Sequence, residues 1–170
     1  MITVESVLGN IYRDSELGEK HKAMSAKSQV DVVRINRLEA QRVRMRKMSD
    51  KGTDIAMTLP PGTKLRHGDV VLLSEERMIM VELEAEKVAV VEVKHLHEDD
   101  AIGVPVRIGH TIGNLHRPIK LDGDRIVFPI HAESEIDMFR KMFGPLMHHI
   151  EINDDVMVFE PEESMNVHEH

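Results

Sequence analysis

The chain has 170 residues, no cysteine, one tyrosine, four phenylalanines and a formal net charge of −8. The missing cysteines exclude disulfides, thiolate metal sites and cysteine nucleophiles. The acidic balance and scarce aromatic rings argue against a surface devoted to nucleic acid. No apolar run approaches a membrane span, and the N-terminus lacks a charged region followed by an apolar core, so the expected location is cytoplasmic and no membrane partner is expected. Eleven histidines are the functional hint in the composition, because imidazole is the commonest metal ligand.

Taken in order, Ile2 to Leu8 reads as a strand closed by turn chemistry at Gly9-Asn10. Arg13 to Lys27 is polar with weak periodicity and reads as a loop. Val30, Val32 and Ile35 nearly alternate, Arg37 to Gln41 suits a helical turn, and Val43 to Arg46 and then Ile55, Met57 and Leu59 alternate again up to Pro60-Pro61-Gly62. Val70 to Leu73, Met78 to Leu83 and Val88 to Val93 are further runs of strand length. Short strands at this spacing predict an all-β domain over residues 1–86.

The second half has another grammar. After the strand Val88 to Val93 comes a helix that carries Val104, Ile108, Ile112 and Leu115 on one buried stripe. Ile119 to Leu121 then pairs with Arg125 to Ile130 across Asp122-Gly123. Ser134, with Asp137 three residues on, predicts a capped helix whose buried face is Ile136, Phe139 and Phe143 and which Gly144-Pro145 stops. Ile150 to Val158 closes the unit. The order βαββαβ is the α+β ferredoxin-like pattern over residues 87–160, followed by an acidic, unpatterned and mobile tail over 161–170.

The decapeptide Gly109 to Pro118, GHTIGNLHRP, concentrates the chemistry. Beside its apolar stripe the helix offers Gly109, Gly113 and His116, a strip without bulk that ends in an imidazole. Two glycines four apart, each about 1 kcal/mol worse than alanine in a helix, call for a packing or functional reason. His110 projects away and reads as solvated. His116 has two open readings: a metal ligand, or a residue that complements the negative end of the helix. As a ligand it needs partners, and a two-fold axis would supply a second His116 from another copy. The tail ends His168-Glu169-His170, two imidazoles that an extended chain points the same way. His148-His149 read as structural or surface residues, His95 and His97 as either a weak surface metal pair or part of the loop approaching the helix, and His21 and His67 as solvated. Arg34 to Lys47 holds six basic residues against Glu39, the wet face of a sheet or a contact for an acidic partner. No HExxH or comparable spacing supports a metal-dependent hydrolase.

Arg37-Leu38-Glu39-Ala40-Gln41, Lys51-Gly52-Thr53-Asp54, Leu65-Arg66-His67-Gly68-Asp69-Val70, Gly113-Asn114-Leu115-His116 and Phe159-Glu160-Pro161-Glu162 stand in an order and spacing that resembles the UreE family of urease accessory proteins, which handle nickel. The resemblance implies an N-terminal β domain of peptide-binding type, a ferredoxin-like metal domain through which homodimers form, and no catalysed reaction. It implies Ni2+ as cargo, with Zn2+ or Cu2+ able to bind the same donors, and delivery to apo-urease through the family's accessory GTPase. It makes His116 the ligand at the dimer interface, with His168 and His170 adding donors and His131 as a secondary ligand against a surface reading. Leu115 departs from the family's usual arginine, and the tail lacks a polyhistidine run. A protonated imidazole cannot coordinate, so affinity is expected to fall below about pH 6.5. The competing reading is a protein-protein or RNA-processing interaction module that uses the basic strip over residues 34–47, with incidental metal binding.

Overall fold

Strand alternation and helix periodicity resolve into two units, Met1–Glu84 and Ala85–His170, in the computed structural model, which describes residues 1–162. In the first unit, β1 (Ile2–Val4), β4 (Arg44–Met48) and β5 (Asp54–Thr58) form a sheet in the order β1-β5-β4. A second sheet runs β2-β6-β7-β3, from β2 (Gly9–Asn10), β6 (Asp69–Leu73), β7 (Met78–Leu83) and β3 (Val30–Ile35). Ile55, Met57 and Leu59 are buried, as their alternation predicts, and Val4, Leu65 and Val81 are buried too. In β3 the buried positions are Asp31, Val33 and Ile35, and Val30 and Val32, expected inward, are only half-buried, because the Asp31 carboxylate finds hydrogen-bond partners inside. The strand expected over Ile2 to Leu8 divides instead, because the Leu8 N–H pairs with the Val70 carbonyl and starts β2 in the other sheet.

Arg13 to Lys27 is not a loop. It contains helix α1 (Ser15–Ala26), and Asp14 caps it by accepting from the N–H groups of Glu16 and Leu17 at 2.9 and 3.1 Å. Only Leu17 and Met24 are buried, two turns apart, which is why the apolar period is weak. They pack with Ile11, Val70, Met78 and Met80. Leu17 Cδ1 lies 2.5 Å from where a Cβ on Gly9 would stand, so the helix docks where β2 has no side chain.

The two sheets are joined by a polar cluster on β3. Asp31, 1% exposed, accepts from Ser49 Oγ at 2.7 Å, Thr53 Oγ1 at 3.1 Å, the Lys51 N–H at 3.1 Å and the Arg77 guanidinium. Ser49 to Thr53 form the turn between β4 and β5, so one carboxylate ties that hairpin to the neighbouring sheet.

In the second unit, β8 (Glu86–Val93), β9 (Lys120–Asp122), β10 (Arg125–Pro129) and β11 (Ile150–Met157) make an antiparallel sheet in the order β11-β8-β10-β9. Helix α2 (Gly103–Asn114) follows β8, and α3 (Glu135–Phe143) follows β10. Val91 stands opposite both Ile126 and Ile152, and with Ala89, Phe128 and Ile150 this row receives Val104, Ile108 and Ile112 of α2 and Ile136, Phe139 and Phe143 of α3. Phe128 meets Phe139 edge to face at 4.7 Å. On the opposite face Phe159 is buried against Val88 and Val127. Ser134 does not cap α3 through its side chain; it is already αR and makes no cap bond. Among the described residues no helix is long and apolar enough to cross a membrane.

Candidate metal centre

His116 is not a residue of the helix proper. Helix α2 ends at Asn114, and His116 adopts φ 54° in the left-handed region. Its N–H bonds the Gly113 carbonyl at 2.9 Å, and the N–H of Arg117 reaches back to Ile112 at 3.4 Å. This is a Schellman stop with histidine at the position that usually holds glycine. The left-handed backbone turns the imidazole off the helical stripe on which the sequence places it. His116 is exposed, and its ring makes no hydrogen bond among the described residues. Neither ring nitrogen is committed, so the neutral imidazole can present one of them, in either tautomer, to a ligand.

The side of α2 away from the core carries Ile102, 77% exposed, Val106, 62% exposed, then Gly109 and Gly113. A Cβ added at Gly109 or Gly113 would meet nothing within 4 Å. Neither glycine is required by packing within the unit, although each weakens the helix by about 1 kcal/mol against alanine. An apolar, uncharged stripe with two bare backbone positions leads directly to the His116 turn.

His131 lies exposed between β10 and α3, with its backbone N–H on Glu135 Oε1 at 3.0 Å. His168 and His170 lie outside the described residues. The segment that leads to them runs from buried Phe159 to Glu162, whose Oε1 accepts the Leu121 N–H at 3.1 Å. Leu121 is five residues after His116. Among the described residues no three His, Asp or Glu side chains gather into a metal site, so one chain does not close a cage from them.

The remaining histidines divide by contact. His110 bonds the Asn114 amide at 3.1 Å, and His95 and His97 are exposed. His67, expected to be solvated, is instead structural: its Nδ1 accepts the Leu83 N–H at 3.1 Å and its ring stacks on Tyr12. At least three of the six basic residues of the strip are paired with acids: Arg34 with Asp50 and Glu82, Arg46 with Asp54, and Lys47 with Glu39. Asp50, Asp54 and Glu82 lie outside residues 34–47, so a tally along the strip, which counts only Glu39, leaves them out.

Residues 4–84 match the UreE urease accessory protein N-terminal domain family. The urease accessory protein UreE of Actinobacillus pleuropneumoniae is 35% identical over 127 residues, 74% of this chain and 62% of its own length. That of Natronomonas pharaonis is 29% identical over 133 residues, 78% of this chain and 61% of its own. The urease accessory protein UreE 1 of Pseudomonas syringae pv. tomato is 28% identical over 132 residues, 78% of this chain and 86% of its own. The chain thus spans about three fifths of the length of the first two relatives. Each alignment is longer than the first unit, so the similarity runs on into the second.

Proposed function

We propose that this chain, which belongs to the UreE family of urease accessory proteins, is a metallochaperone that carries Ni2+ and gives it to apo-urease. The family is one of accessory chaperones and not of enzymes, so the chemistry to be explained is capture and release. Residues 87–160 would be a ferredoxin-like metal and dimerisation domain, a reading supported by their strand order and antiparallel pairing. Residues 1–86 would be the partner-binding domain, facing the accessory GTPase and the apo-urease complex in the cytoplasm.

The observation that carries this reading is an uncommitted imidazole at the end of a helix whose outer face is bare. In a two-fold dimer that face meets its own copy, the glycines let the two helices approach closely, and the two His116 rings converge on one ion. Neutral imidazoles suit nickel, and also copper and zinc, so selectivity comes from geometry and from the receiving partner. The tail supplies further donors. His168 is the sixth residue after Glu162, and an extended chain of six residues reaches roughly 20 Å, enough to return from Leu121 to His116. Donors on a tail and on a second chain can leave one at a time, which favours transfer over storage.

Two outcomes test this. Gly109→Leu is expected to keep the fold, since its Cβ meets nothing within 4 Å, yet to sediment as a monomer and lose the tight site. A dimeric Gly109→Leu protein would remove α2 from the interface. A chain ending at Val167, lacking His168 and His170, is expected to bind nickel on the order of 10-fold more weakly in a calorimetric titration. Unchanged affinity would show that the tail is not part of the site.

A further inference from the structure

Two segments that carry candidate ligands are fastened to each other by one carboxylate. Arg117 follows His116 directly, and its guanidinium donates to the Pro129 carbonyl through Nη1 at 2.8 Å and to Glu135 Oε2 through Nη2 at 2.8 Å. The other oxygen, Glu135 Oε1, takes the His131 N–H at 3.0 Å. Arg117 and Glu135 are 16% and 17% exposed, so water does little to loosen the pair. The His131 segment is also held from its other side, because Ile130 is buried and its N–H bonds the Lys87 carbonyl at 2.9 Å.

One arginine side chain and two hydrogen bonds therefore separate the backbone of the His116 turn from that of His131. A carboxylate in the first turn of α3 is favourable on helix-dipole grounds alone. That role needs neither an arginine from the end of α2 nor a backbone donor from a third segment. The convergence of both on one side chain is what a bracket requires, and both rings stay exposed beside it.

We propose that Glu135 and Arg117 are positioning residues that hold the His116 turn and the His131 segment together, so that both imidazoles address one bound Ni2+. The proposal rests on the nickel-carrier reading and adds to it the residues that set the spacing of two ligands. Neither touches the metal.

The test uses the full chain with Ni2+, reading the ring C–H resonances of histidines assigned by single substitution, alongside calorimetry. In the wild type, substoichiometric nickel is expected to broaden both His116 and His131. In Glu135→Ala the broadening of His131 should disappear while that of His116 remains, with affinity falling on the order of 10-fold. His131→Ala should show the same loss, and the double variant Glu135→Ala/His131→Ala no more than either alone. Glu135→Gln, which keeps one acceptor oxygen and turns an amide NH2 toward the other donor, should restore only part of the affinity. Circular dichroism checks the fold, and Arg117→Gln gives the same reading if Glu135→Ala does not fold. Broadening of His116 without His131 in the wild type, or additive losses in the double variant, would overturn the bracket and leave the carrier reading standing. Broadening of neither would overturn both.

Discussion

His116→Gly is expected to lose the tight nickel site, with Kd raised by more than about 100-fold, while the metal-free protein unfolds at the wild-type temperature or a few degrees above it. The two halves of this expectation have separate causes. The affinity loss follows from removing a ligand, since even outer partners of ligands are worth about 10–100-fold. The retained stability follows from the backbone: φ 54° at His116 is conformation that a non-glycine residue enters at a cost of about 1–2 kcal/mol, and glycine enters it freely. Glycine gives back part of that gain, about 0.4–1 kcal/mol, through its freer unfolded chain. The net is a change from zero to about 1.6 kcal/mol in favour of the variant. His116→Ala has neither the ligand nor glycine's freedom, and should be the less stable of the two. Calorimetric titration beside thermal unfolding of both variants decides the matter. If His116→Gly binds nickel as the wild type does, the residue is only a helix stop, and the candidate centre loses its central member.

A histidine kept where glycine would serve the fold better is a local conflict of the kind that functional sites retain. The conflict cannot be read from periodicity. Stepping at 100° per residue carries the stripe of α2 past Asn114 as if the helix continued, and so places His116 beside Gly113 when the backbone has already turned away. What periodicity does deliver is the helix itself, because Val104, Ile108 and Ile112 are spaced for burial and are buried. The hairpin is legible for the same local reason, with Gly123 at φ 62°, although its turn is Gly123-Asp124, one residue later than the expected Asp122-Gly123, because Asp122 already pairs with Arg125.

Elements that rest on few or distant contacts are the ones the sequence hides. Helix α1 is anchored by Leu17 and Met24 alone, and its readable signal is Asp14 ahead of Ser15 and Glu16, a capping pattern rather than an apolar one. Ser134 shows the converse. Ser-x-x-Asp resembles a cap, but the neighbouring carboxylate of Glu135 is the one that takes the His131 N–H. The pairing of Arg117 with Glu135 spans 18 residues and has no local signature at all. The metal-ligand candidates were visible as residue types, whereas their supports were visible only in three dimensions.

Asp31→Ala is expected to cost the first unit about 3 kcal/mol at pH 7, a large share of the stability of any small domain. The substitution removes the acceptor shared by Ser49, Thr53, Lys51 and Arg77. Breaking a buried pair typically costs about 3–5 kcal/mol, and the lower end applies because Arg77 is 34% exposed and water can take up its charge. Burial alone would raise the Asp31 carboxyl, but hydrogen bonds from Ser49, Arg77, Lys51 and Thr53 outweigh it and hold the group at about 2, below the ordinary 3.8. A value depressed by folding means that the unfolded chain takes up the proton first as pH falls. The contribution is therefore complete above the unfolded value and drains away between about pH 4 and pH 2, amounting to on the order of 2 kcal/mol. Urea unfolding followed by circular dichroism from pH 7 to pH 2 should show this slope in the wild type and its absence in Asp31→Ala. A loss under about 1 kcal/mol at pH 7 would mean that the cluster behaves as a screened surface pair, and that the turn over Ser49 to Thr53 is held to β3 by something other than this carboxylate.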